Sequence, residues 1–397
     1  MLAVIETHPV QYHAPVYRAL QQTCGVPVTV IYGSDFSVAG YRDKEFGTEF
    51  KWDTDLLSGY SSVFLSRVKD GGAGSFEDVS PTGLRTVLQG LKPEAVMVVG
   101  YSPQFNRAAW YEAWRSGRPV IFRGETSDNS DARSWIKSQG RRAALTLAYR
   151  SCARLLFIGR HSQAHYDRMG VDRSRLVFSP YCVDVTPFET DEAARGRLRA
   201  ATRRELGVSD DQVVVLFSGK LSRRKGVDLL MQAIKALPAA VRDRVVIAYL
   251  GDGALRGNLE TLAAQRSPVR AIFLGFQNQR QLSRFYHAAD LLSLPSRFNE
   301  TWGLVVNEAL HHGLPCVVSD RVGCMPDLIE AGRTGESFRA DSEPELTAAL
   351  ERAMALVGRA DVREACRRKV ADYSVERAAE GIANAYRQAT ALARQTA

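Results

Sequence analysis

Two glutamates stand either side of seven residues in the stretch Phe298-Asn299-Glu300-Thr301-Trp302-Gly303-Leu304-Val305-Val306-Asn307-Glu308. Glu300 follows the apolar run Leu291-Leu292-Ser293-Leu294, which predicts a strand, and Glu308 lies on a predicted helix that the intervening loop opens. At about 1.5 Å per residue, the steps from Thr301 to Glu308 cover roughly 10 Å of helix axis. A diphosphate separates the ribose and hexose of a nucleotide sugar by a comparable length, and a helix N-terminus offers it free amides and the positive end of the dipole. One carboxylate then accepts from the hydroxyls of the sugar and the other from those of the ribose. The same pair also fits a buried helix with two solvated carboxylates, and spacing alone leaves both readings open.

A second segment bears on the choice. Val213-Val214-Val215-Leu216-Phe217-Ser218 predicts a buried strand, followed by Gly219-Lys220-Leu221-Ser222-Arg223-Arg224-Lys225-Gly226 and a helical pattern from Val227. Glycine beside lysine at a strand exit lets backbone approach a phosphate that Lys220 and Lys225 neutralise. A basic loop that is merely solvated is the alternative. The two segments lie in one series of alternating strands and helices, and together they favour a site for a nucleotide diphosphate sugar.

The spacing of these landmarks resembles the family 4 glycosyltransferases, retaining enzymes of the GT-B fold. The resemblance runs from the Gly-Lys…Lys-Gly loop at 219–226 through Leu250-Gly251-Asp252-Gly253, Phe273-Leu274-Gly275-Phe276 and Pro295-Ser296. It continues through Glu300 to Glu308, Gly313-Leu314-Pro315 and Val322-Gly323. Residues 1–183 resemble the family less and suggest a bacterial branch. That branch is marked by His8-Pro9-Val10-Gln11-Tyr12-His13, Trp52-Asp53 before Leu56-Leu57-Ser58-Gly59-Tyr60, and Phe122-Arg123-Gly124-Glu125.

The resemblance implies same-face sugar transfer without a metal or cofactor, the leaving phosphate helping to deprotonate the acceptor. Lys220, Lys225 and the amides of Trp302, Gly303 and Leu304 would hold the diphosphate, with Gly219 and Thr301 beside them. Glu300 would bind the transferred sugar and Glu308 the ribose. Phe276, Gln277 and Leu282 would bracket the base, with Gly251 and Gly253 allowing close approach. His13 and Glu125 would face the cleft from the first domain, although a structural hydrogen bond explains His13 equally well. Several positions depart from the family pattern. Lys220 stands where arginine is common, which loses the planar fork. Trp302 replaces a frequent phenylalanine and would narrow the sugar pocket, and Cys324 stands where a second glycine is frequent.

The elements that must position these residues alternate between strand and helix along the chain. Strands are predicted at Leu2–Ile5, Val26–Tyr32, Ala95–Val99, Pro119–Phe122, Arg154–Ile158 and Leu176–Phe178, then at 213–218, 245–250, 269–274, 290–294 and 315–319. Helical patterns include Pro81–Leu91, Asn106–Ser116, 226–237, 279–288, 303–312, 343–357 and Ser374–Gln395. Such alternation argues for doubly wound parallel sheets, and the fold expected is α/β, two Rossmann-like domains facing a cleft. The break at Pro180–Pro187, with a polar stretch to Arg204, divides the chain into 1–183, an acceptor domain, and 184–374, a donor domain. A last helix over 375–397 is expected to cross back to the first domain.

With 397 residues, 45% hydrophobic and 24% charged, the composition is that of a soluble globular chain. No apolar run is long enough to span a bilayer, and Met1-Leu2-Ala3 leads into a strand without a basic leader, so a cytoplasmic protein is expected. Six scattered cysteines read as reduced thiols. The net charge of +8 is uneven: ten Lys or Arg lie between Arg133 and Arg175, against Asp167 and Asp172. With Trp135, Ile136, Leu145, Leu147 and Tyr149 interleaved, that segment suits an anionic membrane surface or a helix with a solvated basic face. No nucleic-acid motif accompanies the charge. Asp53-Thr54-Asp55 imitates a metal motif outside its usual context, His161 and His165 have i, i+4 spacing without a third ligand, and His311-His312 ends a helix. The expected partners are a nucleotide sugar and a glycan, lipid-linked or small-molecule acceptor. A sugar-nucleotide 2-epimerase on the same fold and a non-catalytic nucleotide-sugar binder are the competing readings.

Overall fold

A computed structural model describes the chain apart from residues 43–48, 51–53, 102–103, 126–134, 190, 265–268 and 397, together with the side chains of 41, 42, 49, 50, 135–139 and 396. Asp53, Trp52, Arg133 and the side chains of Trp135 and Ile136 therefore lie outside the described residues.

Seven parallel strands form the first sheet, in the order Ser61–Ser66, Val28–Ser34, Leu2–Glu6, Ala95–Val99, Val120–Arg123, Arg154–Phe157 and Leu176–Phe178. Six parallel strands form the second: Arg270–Gly275, Val245–Leu250, Val213–Ser218, Leu291–Leu294, Cys316–Ser319 and Gly335–Phe338. Most of these strands are unbroken apolar runs because helices cover both faces of a parallel sheet. Leu2–Glu6 and Val245–Leu250 are buried at every position.

In each sheet the first strand sits inside, and the order reverses beside it. The crevice in the first sheet opens between Leu2–Glu6 and Ala95–Val99, and that in the second between Val213–Ser218 and Leu291–Leu294. Ligands of doubly wound sheets bind at the carboxyl ends of strands flanking such a reversal. The segments leaving those ends are Thr7–His13 in one sheet, and Gly219–Lys225 with Pro295–Glu300 in the other.

One face of the first sheet is covered by helix Ala14–Gln22 and by the last helix, Val375–Thr396, which buries Ala378, Ala379, Ile382, Ala383, Ala385 and Ala389 there. The opposite face takes helices Leu84–Leu91, Gln104–Arg115 and Trp135–Arg150 through Leu84, Leu88, Phe105, Trp110, Leu145 and Tyr149.

Several elements differ from the sequence expectation. Ser61–Ser66 and Gly335–Phe338 are edge strands that periodicity did not reveal, and Tyr41–Arg42 pairs antiparallel with Glu49–Phe50. The polar stretch before Arg204 is not a linker: Glu192–Glu205 is a helix, capped by the Asp191 side chain, which accepts from the Ala194 amide at 2.7 Å. Its buried face carries Thr202 and Arg203, with Ala194 the one buried apolar side chain. Arg203, fully buried, donates to Asp290 Oδ2 at 3.1 Å and to the carbonyls of Ser209, Gln212 and Ala288. Arg199 donates to Asp290 Oδ1 at 2.6 Å, and the Val214 amide donates to Oδ2 at 2.8 Å. This clasp fixes the helix beneath the entrance to strands 213–218 and 291–294.

Candidate functional site

The basic loop and the glutamate loop meet because of a glycine. Gly226 has φ +69°, and a side-chain carbon there would lie 2.1 Å from the Pro295 carbonyl oxygen. Only glycine lets the end of the lysine loop rest on the start of the glutamate loop. That contact brings Lys225 Nζ onto Glu300 Oε2, where it donates a short hydrogen bond. Ser296 Oγ donates to the same oxygen at 2.8 Å, and Arg224 Nη1 lies 3.8 Å away. The Gly323 amide donates to the Glu300 carbonyl at 3.0 Å and holds the loop from the far side.

The neighbouring strand exits are also in contact. A side-chain carbon at Gly251 would stand 2.0 Å from the Gly219 carbonyl oxygen, and one at Gly253 would stand 2.7 Å from that of Leu221. These glycines thus serve loop-to-loop packing in addition to any approach by a base. Phe276 is largely exposed and the Gln277 amide donates to the Leu274 carbonyl, whereas Leu282 is buried in the core of the second sheet.

Helix Leu304–His311 begins at Gly303, φ +95°, and carries Glu308 one turn in. Glu308 is buried and accepts from Tyr286 Oη at 2.6 Å. Burial pushes its carboxyl up to about 7, against the hydrogen bonds from Tyr286 and Gln279. Trp302 is buried between the sheets, its indole donating to Asn307 Oδ1 at 2.8 Å and its ring packing on Tyr181 and Tyr373.

Across the cleft the first sheet presents a cavity of about 550 Å³, lined by Glu6, Thr7, His8, His13, Glu125 and Tyr181 among others, with Thr301 from the second sheet also lining it. His13 Nδ1 pairs with Glu6 Oε1 at 2.7 Å, and Nε2 lies 3.7 Å from Glu125 Oε1. Tyr17 Oη donates to the same Glu6 oxygen at 2.6 Å. Burial alone would lower the His13 pKa, but Glu6, with Glu125, outweighs it and pushes the value up to about 9. Burial would raise Glu125, yet His13 and the Tyr181 hydroxyl hold it below the usual carboxylate range.

Glu6, Tyr17 and Tyr181 are members of this cluster that spacing did not point to. The only signal for Glu6 is a lone charge closing an otherwise apolar strand.

Residues 199–371 match the family described as glycosyl transferases group 1, which covers less than half of the chain. The chain is 32% identical over 230 residues to a D-inositol 3-phosphate glycosyltransferase of Geodermatophilus obscurus, covering 55% of this chain and 49% of that protein. It is also 32% identical over 160 residues to an uncharacterized glycosyltransferase of Methanocaldococcus jannaschii, covering 40% and 39%. The matches thus span about half, or less, of these curated relatives. Alr3699/HepE of Anabaena, solved in complex with UDP, aligns over 96% of this chain and 98% of its own at TM-score 0.70 and 18% identity.

The fold is GT-B. The Lys225–Glu300 contact lies on the second sheet of this GT-B fold, and the His13–Glu125 cluster faces it from the first.

Other candidates take structural places. Asp55 caps the Leu57 and Ser58 amides at 3.0 and 3.1 Å. His165 bonds Tyr149 Oη at 3.0 Å, and buried His312 bonds Ser283 Oγ at 2.8 Å. All six cysteines are unpaired. Among the described residues, no group of three His, Cys, Asp or Glu side chains could hold a metal ion.

Proposed function

We propose that the protein is a retaining glycosyltransferase that moves a sugar from a nucleotide diphosphate sugar to a hydroxyl acceptor without a metal or cofactor. One observation carries this: Lys225 and Glu300 are in contact at the second sheet's crevice, facing a cavity on the first that Glu6, His13 and Glu125 line. In this reading 184–374 binds the donor, and 1–183 with 375–397 binds the acceptor. Lys220, Lys225 and the amides at the start of helix Leu304–His311 take the diphosphate, Glu300 the sugar hydroxyls and Glu308 the ribose. The bond between anomeric carbon and phosphate oxygen breaks, and the acceptor oxygen bonds to the same face. The acceptor's proton passes to the departing phosphate. UDP, bound by the Anabaena protein of the same fold, is the first nucleotide to test, with GDP next.

Calorimetric titration with UDP, GDP and ADP tests the reading. Micromolar binding of one nucleotide is expected, weakened about tenfold or more by Glu308→Ala, since a buried carboxylate hydrogen bond is lost. Glu300→Ala is expected to depress transfer more than nucleotide binding. Equal loss of affinity in both variants would contradict these roles. The pH dependence has a definite sign. Because the Glu308 carboxyl titrates near 7 and ribose hydroxyls bind the carboxylate, affinity should fall as pH drops below about 7. Glu308→Gln should retain only the dependence due to the phosphates. NMR of the donor incubated without acceptor separates transfer from epimerisation.

We also propose that the protein acts in the cytoplasm at an anionic membrane face, in assembly of a bacterial surface glycan. Helices Gln104–Arg115 and Trp135–Arg150 pack through Trp110 and Tyr149 and leave Tyr111, Trp114 and Leu147 exposed near their basic residues. Among the described residues no helix is long and apolar enough to cross a membrane. Aromatic side chains beside arginines suit the headgroup region. Co-sedimentation with vesicles containing an anionic lipid is expected, and should be weakened by Trp114→Ala. Absence of binding to such vesicles at low salt would remove this proposal.

A further inference from the structure

Tyr181 belongs to neither sheet. It lies in the segment that leaves Leu176–Phe178 for helix Glu192–Glu205, yet it touches both halves of the candidate site. Its hydroxyl donates a short hydrogen bond to Glu125 Oε1. Its ring stacks on His13, centroids 6.1 Å apart at 25°, and on Trp302, 6.2 Å apart at 30°. Its carbonyl accepts from Asn307 Nδ2 at 3.3 Å, and Asn307 Oδ1 in turn accepts the Trp302 indole N–H. Trp302 stands between Thr301, which lines the cavity, and Gly303, which starts the helix bearing Glu308. Behind the ring, the Arg123 guanidinium lies 5.8 Å from its centroid.

We infer that Tyr181 is a positioning residue that holds Glu125 and His13 in register with the donor loop. This rests on the glycosyltransfer reading for its consequence in turnover, but not for its geometry. Glu125 Oε1 has two neighbours, the Tyr181 hydroxyl and His13 Nε2, and only the phenol is close enough to hydrogen-bond it, the imidazole nitrogen standing 3.7 Å away. The hydroxyl therefore turns the carboxylate and limits its pairing with the imidazole. The ring fills the space between His13 and Trp302, so a displacement of the donor loop is felt at His13 through two stacked contacts. The titratable and charged groups facing His13 are Glu6, His8, Tyr17, Arg123, Glu125 and Tyr181. Of these, only the phenol bridges to the donor side.

Tyr181→Phe keeps the ring and removes the bond to Glu125, so the variant is expected to melt close to the parent. Two measurements decide the role. The His13 midpoint is read by NMR of histidine-labelled protein without substrate. With the phenol gone, Glu125 pairs with the imidazolium alone, and the midpoint should move up by about half a pH unit or more. In steady-state transfer, turnover should fall about tenfold or more while nucleotide affinity stays within about twofold, as expected for a charge-assisted bond that orients without touching the donor. An unmoved His13 midpoint overturns the inference, as does turnover equal to that of the parent. If the parent binds no nucleotide yet the midpoint moves, glycosyltransfer fails while the positioning of Glu125 stands.

Discussion

Replacing Lys225 by alanine is expected to lower sugar transfer roughly 100- to 1000-fold, or about 3–4 kcal/mol of transition-state stabilisation. In the proposed reaction, negative charge develops on the departing diphosphate, and Lys225 is the ammonium that the loop geometry delivers to it. Its pairing with Glu300 strengthens the expectation. Ser296 and Lys225 hold the carboxylate, so loss of the lysine also releases the group proposed to bind the sugar. Lys225→Arg should restore only part of the rate, because a guanidinium cannot occupy the same single-atom contact. Turnover of Lys225→Ala within about threefold of the parent would sink the assignment.

The second large effect concerns stability. Asp290→Ala should cost about 3–5 kcal/mol, because it leaves the fully buried Arg203 guanidinium without its carboxylate. Arg199 and the Val214 amide lose their acceptor in the same substitution. Urea unfolding followed by tryptophan fluorescence reads the change, and a midpoint equal to the parent's would refute the role given to the clasp. Replacing Arg203, Arg199 and Asp290 together by apolar residues should cost less than the single change, since no charge is then stranded.

The meeting of the lysine loop and the glutamate loop was legible in the sequence because its signals are contiguous. Glycine, lysine and glutamate recur at strand exits, where local backbone geometry dictates residue type, and buried parallel strands announce themselves as apolar runs. The His13 cluster is legible only in part. Glu6 with His13, Glu125 and Tyr181 come from three separate segments, and only strand pairing and the crossing between the sheets bring them together. No local periodicity encodes such a meeting. Helix Glu192–Glu205 escaped notice for a different reason: its buried face is mostly polar, Thr202 and Arg203 joining Ala194 where a hydrophobic stripe is usual. The edge strand Ser61–Ser66 is only partly buried along its length, so its pattern lacks the contrast of the central strands.

The last helix has a consequence for the order in which the molecule can be made. Leu2–Glu6 and its neighbours leave the ribosome before the second sheet, but Val375–Thr396, the alanine-rich cover for one face of their sheet, emerges only after it. Until then Val4, Val30, Met97 and Ile121 present an open apolar surface, while the second sheet, whose elements are nearly consecutive, can close by itself. Domains usually fold in the order of their synthesis. Here the nascent chain must instead carry an unfinished first half until Val375–Thr396 has been made, and a truncation that removes this helix should yield an aggregation-prone product with an otherwise complete second sheet.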